Sequence, residues 1–253
     1  MPSGSLPPYN PDDFPRVAVT VDVVVFTIRH DELHVLLVER GQEPFKGSWA
    51  LPGGFVQPKE DLDCAAAREL QEETNLSADG LYLEQLGSYG TPGRDPRMRV
   101  ITVAYWAVCA ELEQPRGGGD AAYSDLVPVA KIERGGIRLA FDHHRIVRDA
   151  VRRLRAKLEY TPLATTFCPP RFTISQLRGV YETIWGTRLD PGNFQRKIRR
   201  NPAFKHIPMA RTPSRRRGGR PASLWSIPRQ SAIAEDMSPM VRRPAIPDDE
   251  SEE

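Results

Sequence analysis

The 253-residue sequence predicts an α/β fold followed by a smaller, basic helical unit. Three observations carry this. Apolar, β-branched runs recur before residue 130 and read as strands. Two stretches, 62–76 and 143–160, place apolar residues at helical spacing and read as helices among those strands. Near residue 161 the composition changes, and from 191 to 234 the chain holds no Asp or Glu.

Residues 1–15 are proline-containing and read as a disordered lead. Residues 17–28 are rich in valine and form a buried strand, 29–32 a turn, and 33–39 the second strand of a hairpin. Residues 48–56 read as one short strand running into Gly53-Gly54. The helix over 62–76 turns Leu62, Ala66, Ala67 and Leu70 inward. Strands follow at 81–89 and 100–112, a glycine-rich loop at 115–120, and a short strand at 125–132. Over 143–160, Ile146, Val147, Ala150, Val151, Leu154 and Leu158 form the apolar stripe of a helix, with most arginines elsewhere on it.

The helix over 62–76 carries the chemistry. Glu69, Glu72 and Glu73 stand at i, i+3 and i+4, on one helical face. Like charges so placed repel unless cations neutralise them, and hard divalent cations prefer carboxylate oxygens. Arg68 and Glu60 flank the cluster and pair to hold the loop against the helix. Gly53 and Gly54 stand where the backbone must turn sharply and approach a phosphate or metal.

The run Gly54, Glu60, Arg68-Glu69-Leu70, Glu72-Glu73, Asn75-Leu76 resembles the Nudix box of hydrolases that act on a nucleoside diphosphate linked to another moiety. The resemblance implies an α/β/α sandwich with a mixed sheet over residues 16–160. It implies that Glu69, Glu72 and Glu73 are catalytic and hold Mg²⁺ or Mn²⁺, with the Gly54 carbonyl as a further ligand. Glu60 and Arg68 are then structural. The sequence departs from the box at Asn75, which stands where the family has glycine. Asn is the best substitute at a left-handed helix C-cap, so the fold tolerates the change.

Behind this region, Thr173 and Asp190 read as N-caps of two short helices separated by a turn at Gly186, with Pro191 at the first position of the second helix. That is a helix-turn-helix. Residues 204–209 and 222–227 read as two strands around the basic, glycine-rich tip Ser214-Arg215-Arg216-Arg217-Gly218-Gly219-Arg220-Pro221, which has the form of a wing. The acid-free stretch holds 11 Lys and Arg. A surface of one sign suits a polyanion. Residues 230–253 close the chain as an acidic, disordered tail.

These segments are similar to the winged helix appended to the Nudix domain in the NrtR family, Nudix-related transcriptional regulators of NAD metabolism. The stretches Leu139-Ala140-Phe141-Asp142-His143 and Gly219-Arg220-Pro221-Ala222 also fit that family. The resemblance implies a winged helix-turn-helix domain over 161–229, a homodimer, and a palindromic double-stranded DNA operator. It implies repression of NAD biosynthesis or salvage genes, and DNA release on binding ADP-ribose or a related NAD-derived diphosphate. Arg196, Lys197, Arg199 and Arg200 are the expected groove contacts, and Arg215, Arg216, Arg217 and Arg220 the expected wing contacts. Expected ligand contacts are Arg40, Trp49, Arg97, Arg99, Phe141 and His143, with Trp49 open between stacking on adenine and packing in the core.

Two readings therefore stand together: a ligand-controlled DNA-binding regulator, and a metal-dependent hydrolase of the ADP-ribose pyrophosphatase kind. Cys64, Cys109 and Cys168 are scattered without metal spacing, which argues against a zinc site or a disulfide framework. The N-terminus lacks the pattern of a signal peptide, and no apolar run reaches spanning length. A cytoplasmic protein with no membrane association is the expectation.

Overall fold

The structure is a computed structural model, and it describes residues 10–78, 81–110, 112, 121–211 and 222–227. Strand β1 (Ala18–Arg29) turns through His30 and Asp31, at φ 50° and 60°, into the antiparallel β2 (Glu32–Arg40). Two left-handed central residues are what a two-residue hairpin turn of matching twist requires. Strands β3 (Trp49–Ala50) and β4 (Gly53–Phe55) are separate, where the sequence suggested one strand. Leu51-Pro52 divides them because β3 pairs with β2 while β4 pairs with β1.

Helix α1 (Leu62–Thr74) follows, then β5 (Tyr82–Tyr89) and β6 (Val100–Val108). Strand β6 runs parallel to β1, and β5 antiparallel to β6, which makes the seven-stranded sheet mixed. Strand β7 (Ala121–Pro128) pairs antiparallel with β2. The strand expected over 125–132 ends at Pro128, and helix α2 (Val129–Glu133) takes the remainder. Proline has no N–H to offer a further rung, and its fixed φ suits a helix start.

The sheet is covered on both faces, which explains why β1 is apolar almost throughout. Val21, Val23 and Val25 face Ala65, Ala66 and Leu70 of α1. Ala65, rather than Ala67, completes that helix's inner face. Val24 and Phe26 face the other way, against helix α3 (His143–Tyr160) through Ile146, Val147, Ala150 and Leu154. The result is an α/β/α sandwich.

A 3-10 stretch (Pro162–Phe167) leads into α4 (Ile174–Trp185) and α5 (Pro191–Arg200), then the strand pair β8 (Lys205–Arg211) and β9 (Ser223–Ser226). Thr173 and Gln176 form a reciprocal capping box on α4, and Asp190 caps α5. Gly186, at φ 67°, ends α4 in the left-handed conformation. This is a winged helix. Its core residues Leu177, Tyr181, Ile184, Phe194, Ile198 and Trp225 belong to the same apolar cluster as Leu154 and Leu158 of α3. The sandwich and the winged helix thus share one continuous core. Among the described residues, no helix is long and apolar enough to cross a membrane.

Candidate functional site: a charged cavity joined to a basic winged helix

At Gly53 the backbone of β1 leaves room only for glycine, and Gly54 lies against the Glu69 carboxylate of α1. A Cβ on Gly54 would stand 2.4 Å from Glu69 Oε1, and one on Gly53 would stand 2.2 Å from the Val21 carbonyl oxygen. The Gly53 N–H donates to Glu73 Oε2 at 2.9 Å. Arg68 donates to both oxygens of Glu60, at 2.7 and 2.9 Å, and to the Phe55 carbonyl at 3.3 Å. It also reaches Glu69 Oε1 at 2.8 Å and Glu72 Oε2 at 3.0 Å. The helix ends at Asn75, which adopts φ 57° and ψ 17° and donates its N–H to the Gln71 carbonyl. The left-handed cap expected of this residue is present.

The charges on α1 are unevenly compensated. The hydrogen bonds from Arg68 hold Glu60 below the ordinary carboxyl range. Burial raises Glu69, against the pull of Arg68. Burial also pushes Glu73 up to about 8, opposed by the Gly53 N–H and reinforced by Glu69 and Asp22. These are hard oxygen donors crowded on one helical face with a single arginine among them, which suits a divalent cation by chemistry. Their present geometry is different. Glu69 and Glu72 point to Arg68 and Glu73 to Gly53. Among the described residues, no three His, Cys, Asp or Glu side chains converge as a metal site.

A cavity of about 430 Å³ opens over this helix. Its walls bring together Glu69, Glu72, Glu73 and Gly54 with Asp22, Arg40, Arg94, Arg97, Phe141 and His143. Arg40 donates to the Pro44 carbonyl at 2.8 Å and lies 4.8 Å over the Phe141 ring. Phe141 adopts φ 53°, uncommon for a bulky residue, and its ring meets Phe45 edge-on at 4.9 Å. Arg97 is gripped by Asp95 and lies 5.3 Å over Phe55. His143 is buried, and its Nδ1 accepts the Leu51 N–H at 2.9 Å. The ring proton is then on Nε2, which faces Asp22 Oδ1 at 3.4 Å. Burial lowers the His143 pKa, with Asp22 opposing.

Two expected ligand contacts lie elsewhere. Trp49 packs edge-on against Tyr123 at 6.1 Å and is not part of the cavity wall. Arg99 is also outside the wall, and its carbonyl accepts the Ala18 N–H. Three wall or near-wall residues were not anticipated: Asp22, Arg94 and Asp142. The Arg94 side chain is 4% exposed and grips Asp142, with Asp22 at 3.5 Å. An acid inside the otherwise apolar strand β1 was the available signal for Asp22. Nothing in spacing distinguished Arg94 from its neighbours Arg97 and Arg99.

On α5, Phe194 and Ile198 are buried and orient the helix. Arg196, Arg199 and Arg200 are exposed and Lys197 is half-buried, so the cations share the outer side. A groove of about 340 Å³ between α4, α5 and β9 adds Arg178, Gln195 and Ser175 beside Arg199. Among the described residues no Asp or Glu lines it, and Arg178 faces Glu182 behind it at 3.4 Å. The expected wing contacts Arg215, Arg216, Arg217 and Arg220 lie outside the described residues, as do residues 1–9 of the N-terminal lead and the acidic tail; the rest of the lead, expected to be disordered, holds a 3-10 turn at Pro11–Asp13.

Comparison with known proteins agrees with both halves. Residues 18–152 match the NUDIX domain, and residues 164–227 match the NrtR DNA-binding winged helix domain. The ADPR responsive transcriptional repressor NtrR of Acinetobacter baylyi is 35% identical over 222 residues, covering 86% of this chain and 84% of that protein. An ADP-ribose pyrophosphatase of Methanocaldococcus jannaschii is 37% identical over 137 residues, 53% of this chain and 73% of that one. The crystal structure of Shewanella oneidensis NrtR with a 27mer DNA superposes with a TM-score of 0.70 at 29% identity, covering 87% of this chain and 98% of that one. The NUDIX domain of the same NrtR, complexed with ADP ribose, gives 0.52 at 35% identity over 58% and 94%. The chain therefore belongs to the Nudix family, in the group that carries an NrtR DNA-binding winged helix behind the Nudix domain.

Proposed function

We propose that this chain is a DNA-binding transcriptional repressor of NAD biosynthesis or salvage genes that responds to ADP-ribose through its Nudix domain. The carrying observation is the core shared by the sandwich and the basic winged helix, which meets the cavity wall at Leu51, together with helix α3, whose first residue His143 lines that wall. Helix α3 runs from the cavity wall to the winged helix, and in this proposal it carries occupancy of the one to the pose of the other. The A. baylyi relative is a repressor responsive to ADPR, and the S. oneidensis NrtR has been seen with DNA and, in its NUDIX domain, with ADP ribose.

The cavity suits a dinucleotide-like diphosphate. Arg40, Arg94 and Arg97 supply positive charge for phosphate oxygens. Phe141, with Arg40 stacked on it, offers a flat face to a ring. On the DNA side, Arg196, Arg199 and Arg200 present guanidinium groups to a groove, and Arg178 and Arg199 lie where a phosphate backbone would pass. A palindromic operator is read by a homodimer in this proposal, which pairs two such helices. The wing arginines 215–217 and 220 add backbone contacts by their charge.

Hydrolysis stands as the second reading, because Glu69, Glu72 and Glu73 are all retained and Asn75 closes their helix as a glycine would. A bound Mg²⁺ or Mn²⁺ would neutralise the diphosphate and acidify water. Glu69, Glu72, Glu73 and the Gly54 carbonyl would hold it. Arg68 would keep Glu60 and the loop in place. A working hydrolase would erase its own signal, so the repressor would then report flux rather than level.

The test is fluorescence anisotropy of labelled DNA from upstream of NAD-metabolism genes, with ADP-ribose and NAD added separately. Saturable binding reversed by ADP-ribose supports the reading. Absence of specific DNA binding, with turnover of ADP-ribose, overturns it in favour of the hydrolase.

A further inference from the structure

Asp142 stands at the N-cap position of α3, yet its carboxylate caps nothing. Its backbone is at φ −101° and ψ 20°, outside the extended region that capping residues adopt. Arg94 holds the carboxylate instead. Its Nε reaches the two oxygens at 3.1 and 3.0 Å, and Nη2 reaches Oδ1 at 2.6 Å. Helix α5 shows the alternative, where Asp190 accepts the Asn193 N–H at 2.7 Å. Asp142 therefore has two available sets of partners, the Arg94 guanidinium and the first turn of its own helix.

Arg94 is a wall residue of the cavity; its side chain is buried, and among the described residues its guanidinium bonds only to side-chain carboxylates. Arg97 differs, being largely exposed, and Arg40 is fixed by a backbone carbonyl. Among these arginines, Arg94 alone has its partner at the start of α3. That helix is 18 residues long, about 27 Å. Its far end carries the winged helix: the Tyr181 hydroxyl donates to the Leu158 carbonyl, and the Trp185 indole to the Arg155 carbonyl.

We propose that Arg94 is the anion receptor of the cavity and the trigger of the response. A diphosphate draws the guanidinium from Asp142, and the freed carboxylate caps α3, resetting the helix on which α4 rests. This rests on the reading of the chain as an ADP-ribose-responsive repressor. An N-cap biases a helix by roughly fivefold, at the lower edge of the roughly 5- to 150-fold couplings common in allosteric proteins.

The experiment uses the full chain, with chelator present, and measures ADP-ribose affinity by calorimetry and operator affinity with and without ADP-ribose. Arg94→Gln weakens ADP-ribose binding by about tenfold or more, and Arg94→Lys restores part of it. Asn caps helices as well as Asp does, whereas Ala does not. Asp142→Asn therefore lowers operator affinity without any ligand. Asp142→Ala binds the operator, and ADP-ribose releases it far less than it releases the wild type. A merely structural Asp142 would not separate Asn from Ala in this way. Wild-type ligand affinity in Arg94→Gln overturns the proposal, as does wild-type release in both Asp142 variants.

Hydrogen exchange on the wild type needs no variant to fold. The Arg145 N–H already donates to the Asp142 carbonyl, so the amide that reports is that of His144: it slows when ADP-ribose is added, and unchanged exchange there overturns the proposal. A wild-type chain that binds ADP-ribose and releases DNA while these results fail keeps the functional reading and loses only this one. A wild type that does neither loses both.

Discussion

The Trp185 indole N–H donates to the Arg155 backbone carbonyl at 3.1 Å, and the Arg155 Nε donates back to the Ile184 carbonyl at 3.0 Å. This exchange ties the last turn of α4 to α3, across the boundary between the winged helix and the sandwich. Thr183 adds a bond to the Asp31 carbonyl in the β1–β2 turn, at 3.3 Å.

An apolar cluster shared by the sandwich and the winged helix predicts one melting transition. In calorimetry the wild-type chain unfolds cooperatively between residues 18 and 227, the span of the two matched regions. Trp185→Ala removes a fully buried indole and costs about 3–5 kcal/mol. It also splits the transition in two. Two resolved transitions in the wild type would contradict the shared core.

Asn75 closes α1 at φ 57°. Asn75→Val places a β-branched side chain there and lowers stability by about 1–2 kcal/mol. Asn75→Gly leaves stability the same or higher, since glycine takes this conformation without strain. Thermal melts of both variants check this, and equal loss in the two would mean that the cap is not what matters.

Glu73 gives a pH dependence with a defined sign. Burial pushes its carboxyl up to about 8, above the unfolded value of 4.5. Between those values the folded chain holds a proton that the unfolded chain has released. Stability contributed by the neutral carboxyl is thus complete below about 4.5 and is lost as pH rises through about 8. Metal-free wild type therefore loses melting temperature from pH 6 to pH 9 relative to Glu73→Gln, which retains an acceptor for the Gly53 N–H. Parallel curves would reject the assignment.

Arg178 and Arg199 line the acid-free groove beside α4 and α5. Replacing either by Ala weakens operator binding and lowers the slope of log affinity against log salt by about 1 if it neutralises a phosphate. An unchanged slope in both variants would place the DNA backbone elsewhere.

Much of this was legible in the residues. The valine run of β1, the stripe of α3 and the caps Thr173 and Asp190 each obey a local rule, and each element stands close to its expected limits. Failures came where tertiary pairing decides. Residues 49–55 split because two different partner strands claim them. The cavity was half legible. The carboxylates of α1 share one helix, so spacing reveals them. Arg94, Asp22 and Asp142 come from a loop, a strand and a helix start, and only folding brings them together. Trp49 was a reasonable stacking candidate by residue type, but its strand position turns it to Tyr123.

The central claim is that the Nudix cavity reports to the winged helix without needing to cleave what it binds. The most direct measurement follows operator occupancy and ADP-ribose cleavage in one sample of the wild-type chain, once with Mg²⁺ and once with chelator. Release of DNA by ADP-ribose in the chelated sample, where nothing is cleaved, is the predicted result. DNA that stays bound in both samples while ADP-ribose is consumed in the first would contradict it.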